Sequence, residues 1–540
     1  MKNIRRYLAC LAAGGLCATA AAQTVEWVRE YNGPASEFDG AWAITVDAAG
    51  NVYVAGGSES ATNSEDYTIV KYAPDGTPSD TWPDVGSGAG VRRYDFVNNF
   101  DRANAIAVDE SGNVYVTGQF INEAGCCNYD FGTLKYDAAG SFQWVATHNG
   151  PASQWDEAHN IALDGLGHVY VTGKVVVSPM DKTDYSTIKY DAATGQPSAS
   201  WPDVGFGVGV RRYNSPQSWG FGDTPLAMVA DRSGNVYVTG GAEGDIATVR
   251  YDAAGNEVWA VRHDSGNFND AGGDIALDET GAVYVTGSLN LAGTYYVTLK
   301  YDADGTLSAD WPDVGFGEGV RVYHGPGTGW DSASAIALDG SGRVYVTGRS
   351  WGVGTGIDYA TIKYDPDGSP SSTWPDVGFG VGVRRYSTAG EFDDKADHIA
   401  VDLAGNVYVA GTVDCDAGCA QWTIVKYSPS GAESWVGTYN SPGLDQDYLT
   451  GLVVDDSRNI YATGFGLGKG TNFDYVTIKY SQPAGCTWDL NSSGDVGILD
   501  LLALLAAWGS DPGGPPDFDG DGVVGILDLL TLLANWGPCL

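Results

Sequence analysis

Eight times along this chain an aspartate is followed six residues later by a tyrosine, at Asp47, Asp109, Asp164, Asp231, Asp278, Asp339, Asp402 and Asp455. The text around each pair is nearly constant. In the second copy, D-R-A-N-A-I-A-V-D-E-S-G-N-V-Y-V-T-G, a short apolar run at Ile106 and Val108 stops at Asp109, and Gly112 and Asn113 supply turn chemistry. Val114, Tyr115 and Val116 then open a β-branched and aromatic strand. A motif that recurs in this way outranks any residue-level reading, because it marks one supersecondary unit copied many times. A chain of 540 residues built from copies can be one architecture, so its length does not set a domain count.

Each copy continues with a third strand such as D-Y-T-I-V-K-Y, whose closing tyrosine is present all eight times, ending at Tyr480. A fourth strand follows, as at Trp144-Val145-Ala146-Thr147-His148. Four antiparallel strands per unit at a spacing of roughly 40–60 residues read as propeller blades. The eighth copy runs out without its fourth strand, while Trp27-Val28-Arg29-Glu30-Tyr31-Asn32 stands at the other end without a partner. Pairing the two would close the ring and remove its open edge. The expected fold is therefore an all-β propeller of eight four-stranded blades over residues 23–483, closed by the N-terminal strand, followed by a small α-helical calcium-loop domain over 484–540. Segments such as A-I-A-V-D-E-S-G-N-V-Y-V-T-G and D-Y-S-T-I-K-Y-D resemble the SBBP family of bacterial β-propeller repeats, over roughly 25–482. That resemblance implies an exported propeller and no particular activity; the family name implies seven blades where this chain has eight copies.

Two loop features are candidates for binding. Eight residues before each turn aspartate stands another, at Asp39, Asp101, Asp156, Asp223, Asp270, Asp331, Asp394 and Asp447. Were the first strand to line the channel, this set would ring one mouth, on the side of the variable loops between second and third strands. There it would either attract a cation or polar ligand, or cap its own loops. On the opposite side, four copies carry an insertion of the type W-P-D-V-G-F-G-V-G-V-R-R-Y, at Trp82, Trp201, Trp311 and Trp374. Its tryptophan either packs on its own blade or forms a platform for sugar rings.

After residue 483 the text changes. D-L-N-S-S-G-D-V-G-I-L-D (489–500) precedes L-L-A-L-L-A-A-W-G, and D-F-D-G-D-G-V-V-G-I-L-D (517–528) precedes L-L-T-L-L-A-N-W-G. Asp517, Asp519, Asp521 and Asp528 occupy positions 1, 3, 5 and 12 of a calcium loop, with Gly522 at its sharp turn. Asp489, Asn491, Ser493 and Asp500 do so in the first loop, with fewer charges. The backbone carbonyls of Asp495 and Val523 complete the two sets. Two calcium ions are expected. A calcium loop followed by one helix, twice, resembles a type I dockerin, with Asp closing each loop as in that family. The resemblance implies attachment to a cohesin-like or other cell-surface protein. Here Ile498-Leu499 and Ile526-Leu527 stand where the family often has Ser-Thr.

Lys2, Arg5 and Arg6 before the apolar stretch to Ala22 read as a cleaved signal peptide over 1–22, so a secreted or cell-surface location is expected. Export permits disulfides. Cys486 and Cys539 bracket the last domain and are the best candidate pair, and Cys415 and Cys419 are close enough to staple one loop. Beyond the signal no stretch is long and uncharged enough to span a membrane. A net charge of -39 opposes nucleic acid and anionic membranes, and leaves calcium and neutral glycans as compatible partners. The six histidines fall at no repeat position, and no nucleophile elbow, zinc-protease motif or phosphate loop is present. A binding or scaffold protein is the leading expectation. The alternative is a dockerin-bearing carbohydrate-active enzyme, a polysaccharide hydrolase or lyase, on the variable-loop face.

Overall fold

The computed structural model describes residues 24–60, 64–96, 100–121, 128–152, 154–178, 182–216, 222–267, 269–291, 293–388, 390, 392–415, 419–443, 446–481, 488–490, 495–510, 516–519 and 522–538. The signal segment, Cys486 and Cys539 lie outside them.

Asp39–Val46, Val52–Glu59, Glu65–Tyr72 and Val91–Tyr94 form an antiparallel four-stranded meander, blade 1. The same order recurs in blades 2 to 7, over residues 101–148, 157–213, 224–263, 271–323, 332–386 and 392–439. Blade 8 draws three strands from 447–481, and Thr24–Tyr31 pairs antiparallel with Phe473–Ser481 as its fourth. Blades 6 and 7 are also bridged by two parallel pairs, Gly356↔Phe392 and Ile357↔Asp393. The seam between last and first blades is built like the others. Tyr475 Oη of blade 8 donates to Thr68 O of blade 1 at 3.2 Å, as Tyr67 does to Gly132 O at 3.1 Å and Tyr296 to Ala360 O at 3.1 Å. Closed ring and eight-blade count thus follow from strand pairing alone.

The repeated residues now have physical roles. In the turn after the first strand, Asp47 Oδ1 accepts the N–H of Ala49 and Asn51 at 2.9 Å, and Tyr53 Oη donates to Oδ2 at 2.9 Å. The six-residue spacing from aspartate to tyrosine is the span of that turn; blade 2 repeats it with Asp109 and Tyr115 at 3.1 Å. Every first strand carries a register shift, for example between Ala103 and Ala105. Opposite it stands the glycine of the T-G pair: a Cβ on Gly118 would lie 2.0 Å from Arg102 O. Only glycine lets the backbones approach so closely at this bulge.

The core between blades is aromatic. Trp82, Trp201, Trp311 and Trp374 are fully buried. Each sits between the second-strand tyrosine of its own blade and the third-strand tyrosine of the next, as Trp82 does between Tyr53 and Tyr136 at 6.0 and 6.1 Å. Its Nε1 donates across the junction, to Ala138 O at 3.1 Å for Trp82. Arg92 lies over the same ring at 5.2 Å and donates to Gly140 O at 2.6 Å. Blades without the insertion supply the wedge from the fourth strand itself, as Trp144 does between Tyr115 and Tyr190, and Trp27 closes the ring between Tyr461 and Tyr72. Both sequence alternatives for these tryptophans therefore need correcting. They pack neither on one blade alone nor outward toward sugars, because each ring buries more area between two blades than against one.

Beyond the propeller, α1 (Ile498–Ala506) and α2 (Ile526–Ala534) pack around Leu504 and Leu532, with Val496 and Val524 beside them. A two-residue bridge joins Asp495–Val496 to Gly537–Pro538, bringing the last described residues beside the first loop. Among the described residues no helix is long and apolar enough to cross a membrane. Cys419 is disulfide-bonded, and its cross-strand neighbour is Cys415.

Candidate functional site

In the second C-terminal loop, carboxylate oxygens of Asp517, Asp519 and Asp528 all lie within 4.8 Å of one another. Asp528, one turn into α2, accepts the N–H of Phe518 at 2.6 Å and Gly525 at 2.7 Å. Burial acts to raise its pKa, but these bonds outweigh it and hold the carboxyl below its usual value. Gly522 turns the loop at a φ of 87° and donates to Asp517 Oδ2 at 3.0 Å. Converging, all-oxygen donors suit a hard cation of calcium's size. Val523 lies in the same turn, and Asp521 is outside the described residues. In the first loop Asp489 and Asp500 are buried and Asp500 accepts Gly497 N–H at 2.7 Å. Asp495 contributes backbone to the bridge above, and Asn491 and Ser493 lie outside the described residues.

The eight aspartates of the variable-loop side do form a set, but one turned into the protein. Each is at most 2 % exposed. Each accepts a backbone N–H from the loop that enters its own blade: Asp39 from Gly33 at 2.6 Å, Asp101 from Phe96 at 2.8 Å, Asp223 from Ser215 at 2.6 Å, Asp270 from Ser265 at 2.8 Å. Asp331 takes Gly325 at 2.9 Å, Asp394 takes Thr388 at 2.5 Å, Asp447 takes Ser441 at 2.9 Å, and Asp156 takes Gly150. Burial pushes Asp156, Asp223 and Asp394 up to about 6, and Asp101 up to about 8. Of the two alternatives, loop capping is what this geometry performs.

What the same face presents to the channel instead is a set of residues that occur once each. Glu157, on the first strand of blade 3, faces Lys174 Nζ at 3.0 Å, His159 Nε2 at 3.6 Å and, across the blade junction, Arg102 Nη2 at 3.7 Å. Burial opposes its charge, yet His159 and Lys174 hold it down at about 2. Arg102 in turn lies over the ring of Trp42 from blade 1 at 4.9 Å, and Trp42 packs on Phe465 of blade 8 at 5.1 Å. Lys174 lies over Trp155 at 5.5 Å, and Trp155 continues through Tyr129 at 5.1 Å to Phe100 at 6.1 Å. Between blades 1 and 2, burial pushes the Glu65 carboxyl up to about 8 against the pull of Arg102. This arc escaped sequence reasoning because the residue type at its positions changes from copy to copy, Arg102 of blade 2 standing where blade 3 has Glu157. One signal was available: the residue preceding a capping aspartate is aromatic at Phe38, Phe100, Trp155 and Trp330. On the opposite face a cavity of about 480 Å³ opens between blades 8 and 1, lined by Asp47, Asp455, Asp456 and Lys479. Its Asp47 and Asp455 are turn residues already engaged with Asn51 and Asn459.

No family model matches this chain, and no curated protein matches it. Among solved structures, it is similar to the WD40 repeats of RRP9, at 10% identity and a TM-score of 0.39 over 85% of this chain and 99% of that one. It is also similar to the β-propeller domain of the Trilobed protease from Pyrococcus furiosus, described as having an open velcro topology, at 9% identity and a TM-score of 0.39 over 70% and 92%. A third is a protein from Lactobacillus plantarum, at 11% identity and a TM-score of 0.38 over 69% and 96%.

Proposed function

We propose that this chain is an exported binding protein, in which a propeller scaffold is attached to a cohesin-like or other cell-surface protein through a calcium-folded C-terminal module. One observation carries the reading. α1 and its flank expose Ile498, Leu499, Leu502, Leu505 and Trp508, and α2 exposes Ile526, Leu527, Leu530, Leu533 and Trp536, position for position. All ten are 46–61% exposed. A soluble surface seldom leaves so many large apolar side chains on two adjacent helices unless something covers them. The calcium loops precede both helices, so ion binding would fix their ends and hence the shape of this face. The test uses the full-length chain. Calcium titration by calorimetry should report two ions, and a panel of cohesin domains should capture the chain in calcium and release it in EDTA. Leu499→Glu with Leu527→Glu should abolish capture without changing calcium stoichiometry. Fewer than two ions, or capture indifferent to both substitutions, rejects the attachment reading.

A second reading, a polysaccharide hydrolase or lyase, has one observation in its favour: Glu65 at about 8 and Glu157 at about 2 have opposite shifts and share Arg102 as a neighbour. Carboxyls pushed apart in this way can divide acid and base roles. Polysaccharide cleavage lost in Glu65→Gln would support it, and inactivity over a broad polysaccharide panel would remove it.

A further inference from the structure

We propose that the channel mouth across blades 1, 2 and 3 is a binding site for a neutral glycan, with Trp155 as the stacking platform and Glu157, Lys174 and Arg102 as the hydroxyl-binding group. The inference rests on the binding-protein reading above and names the ligand class of the propeller itself.

Trp155 is 50% exposed, although a ring of its size gains from burial. It is held in place on the protein side: Tyr129 packs against it at 5.1 Å and the Lys174 ammonium lies 5.5 Å from its centroid. A rigid exposed indole with polar groups at its edge suits a pyranose ring, whose C–H face stacks while its hydroxyls take hydrogen bonds. The polar groups are equally fixed. Glu157 is bound by Lys174 at 3.0 Å and approached by Arg102 at 3.7 Å, and these three side chains retain 16%, 26% and 27% of their accessibility. They therefore reach solvent in the channel while their positions are set by one another. The group sets two cations against one carboxylate, so its own charge is only about +1 while it offers both donors and acceptors to hydroxyls. So small a charge, on a chain of net charge -39, favours a neutral polyhydroxyl ligand over a polyanion.

The site is also one-sided. Where blades 2 and 3 place Arg102 and Glu157, the matching positions of blades 4, 5 and 6 hold Thr224, Ala271 and Ser332.

Calorimetric titration of the full-length chain with cellohexaose, xylohexaose and mannohexaose tests this, with polygalacturonate as the acidic comparator, in calcium and again in EDTA. At least one neutral hexasaccharide should bind in both buffers. Trp155→Ala should weaken that binding by about tenfold, Lys174→Met should weaken it too, and Trp330→Ala in blade 6 should leave it unchanged. Because Trp155 is half exposed, its substitution should leave the melting temperature in place. Binding of polygalacturonate alone, no binding of any neutral hexasaccharide, or wild-type affinity in Trp155→Ala overturns the proposal. Loss of glycan binding in EDTA would assign it to the C-terminal module and overturn it as well. A failure of cohesin capture leaves this result untouched, so the two readings fail separately.

Discussion

The residues that repeat eight times and the residues that occur once belong to the same ring of blades, yet they do different work. Trp27, Trp82 and the capping aspartates led by Asp39 are buried within or between blades, and the turn aspartates are engaged by their own turns and tyrosines. Trp155, Lys174, Glu157 and Arg102 keep part of their surface in water and are arranged around one another. Repetition selects residues for a job every junction has, so it marks framework. A ligand breaks the ring's symmetry, so a site is expected where the repeat is broken.

The largest effect should come from removing the framework at its seam. Deleting residues 24–31 takes a whole strand and the Trp27 wedge from the closing junction, and should cost more than about 5 kcal/mol, with early loss of blade 8. Hydrogen exchange localising the damage elsewhere, or an unchanged melt, breaks the closure argument.

Next comes a direct contrast between buried and exposed tryptophans. Trp201→Ala should cost about 3–5 kcal/mol, because it empties a junction and leaves two tyrosines without their partner. Trp330→Ala, at a position 76% exposed, should stay within about 0.5 kcal/mol. Denaturant melts of the two variants decide it, and equal costs would erase the distinction.

The capping aspartates give a pH signature. Their folded pKa values are raised, to about 6 at Asp156, Asp223 and Asp394 and about 8 at Asp101, against roughly 3.9 unfolded. The folded state therefore binds protons more tightly in that interval. This contribution is fully present below about pH 4 and is lost as pH rises through about 6, with Asp101 extending the loss toward 8. Melting temperature in saturating calcium should fall between pH 5 and pH 8, and Asp101→Asn should flatten the slope while leaving ligand affinity unchanged. A melt that rises with pH would show that these carboxyls are stabilised as anions.

The smallest effect is expected where one copy departs from the turn. Seven copies place glycine one residue after the turn's centre, and the eighth has Arg458, held at a φ of 63°. Arg458→Gly should stabilise the chain by about 0.5–1 kcal/mol, by relieving left-handed strain at some cost in unfolded-state entropy. A destabilised variant would mean that the Arg458 side chain contributes more than its backbone costs.

Blade number, ring closure and the spacing of the two duplicated acidic loops could be read from the sequence alone, because each is a matter of local periodicity or of residues within twelve positions of one another. The period made the aspartates at Asp39 and its equivalents visible too, but could not say which way they point. Their direction depends on where the entering loop, five to eight residues back, puts its N–H groups, and those loops differ in sequence from copy to copy. The tryptophans likewise acquire their second tyrosine from a blade some fifty residues away, as Trp82 does from Tyr136. The mouth was the least legible part: Trp42, Arg102 and Glu157 lie on three blades at positions where the repeat keeps no constant residue, and only the packing of adjacent blades brings them within reach of one another. Sequence periodicity records contacts that every copy makes; a contact made once, between distant segments, leaves no period to read.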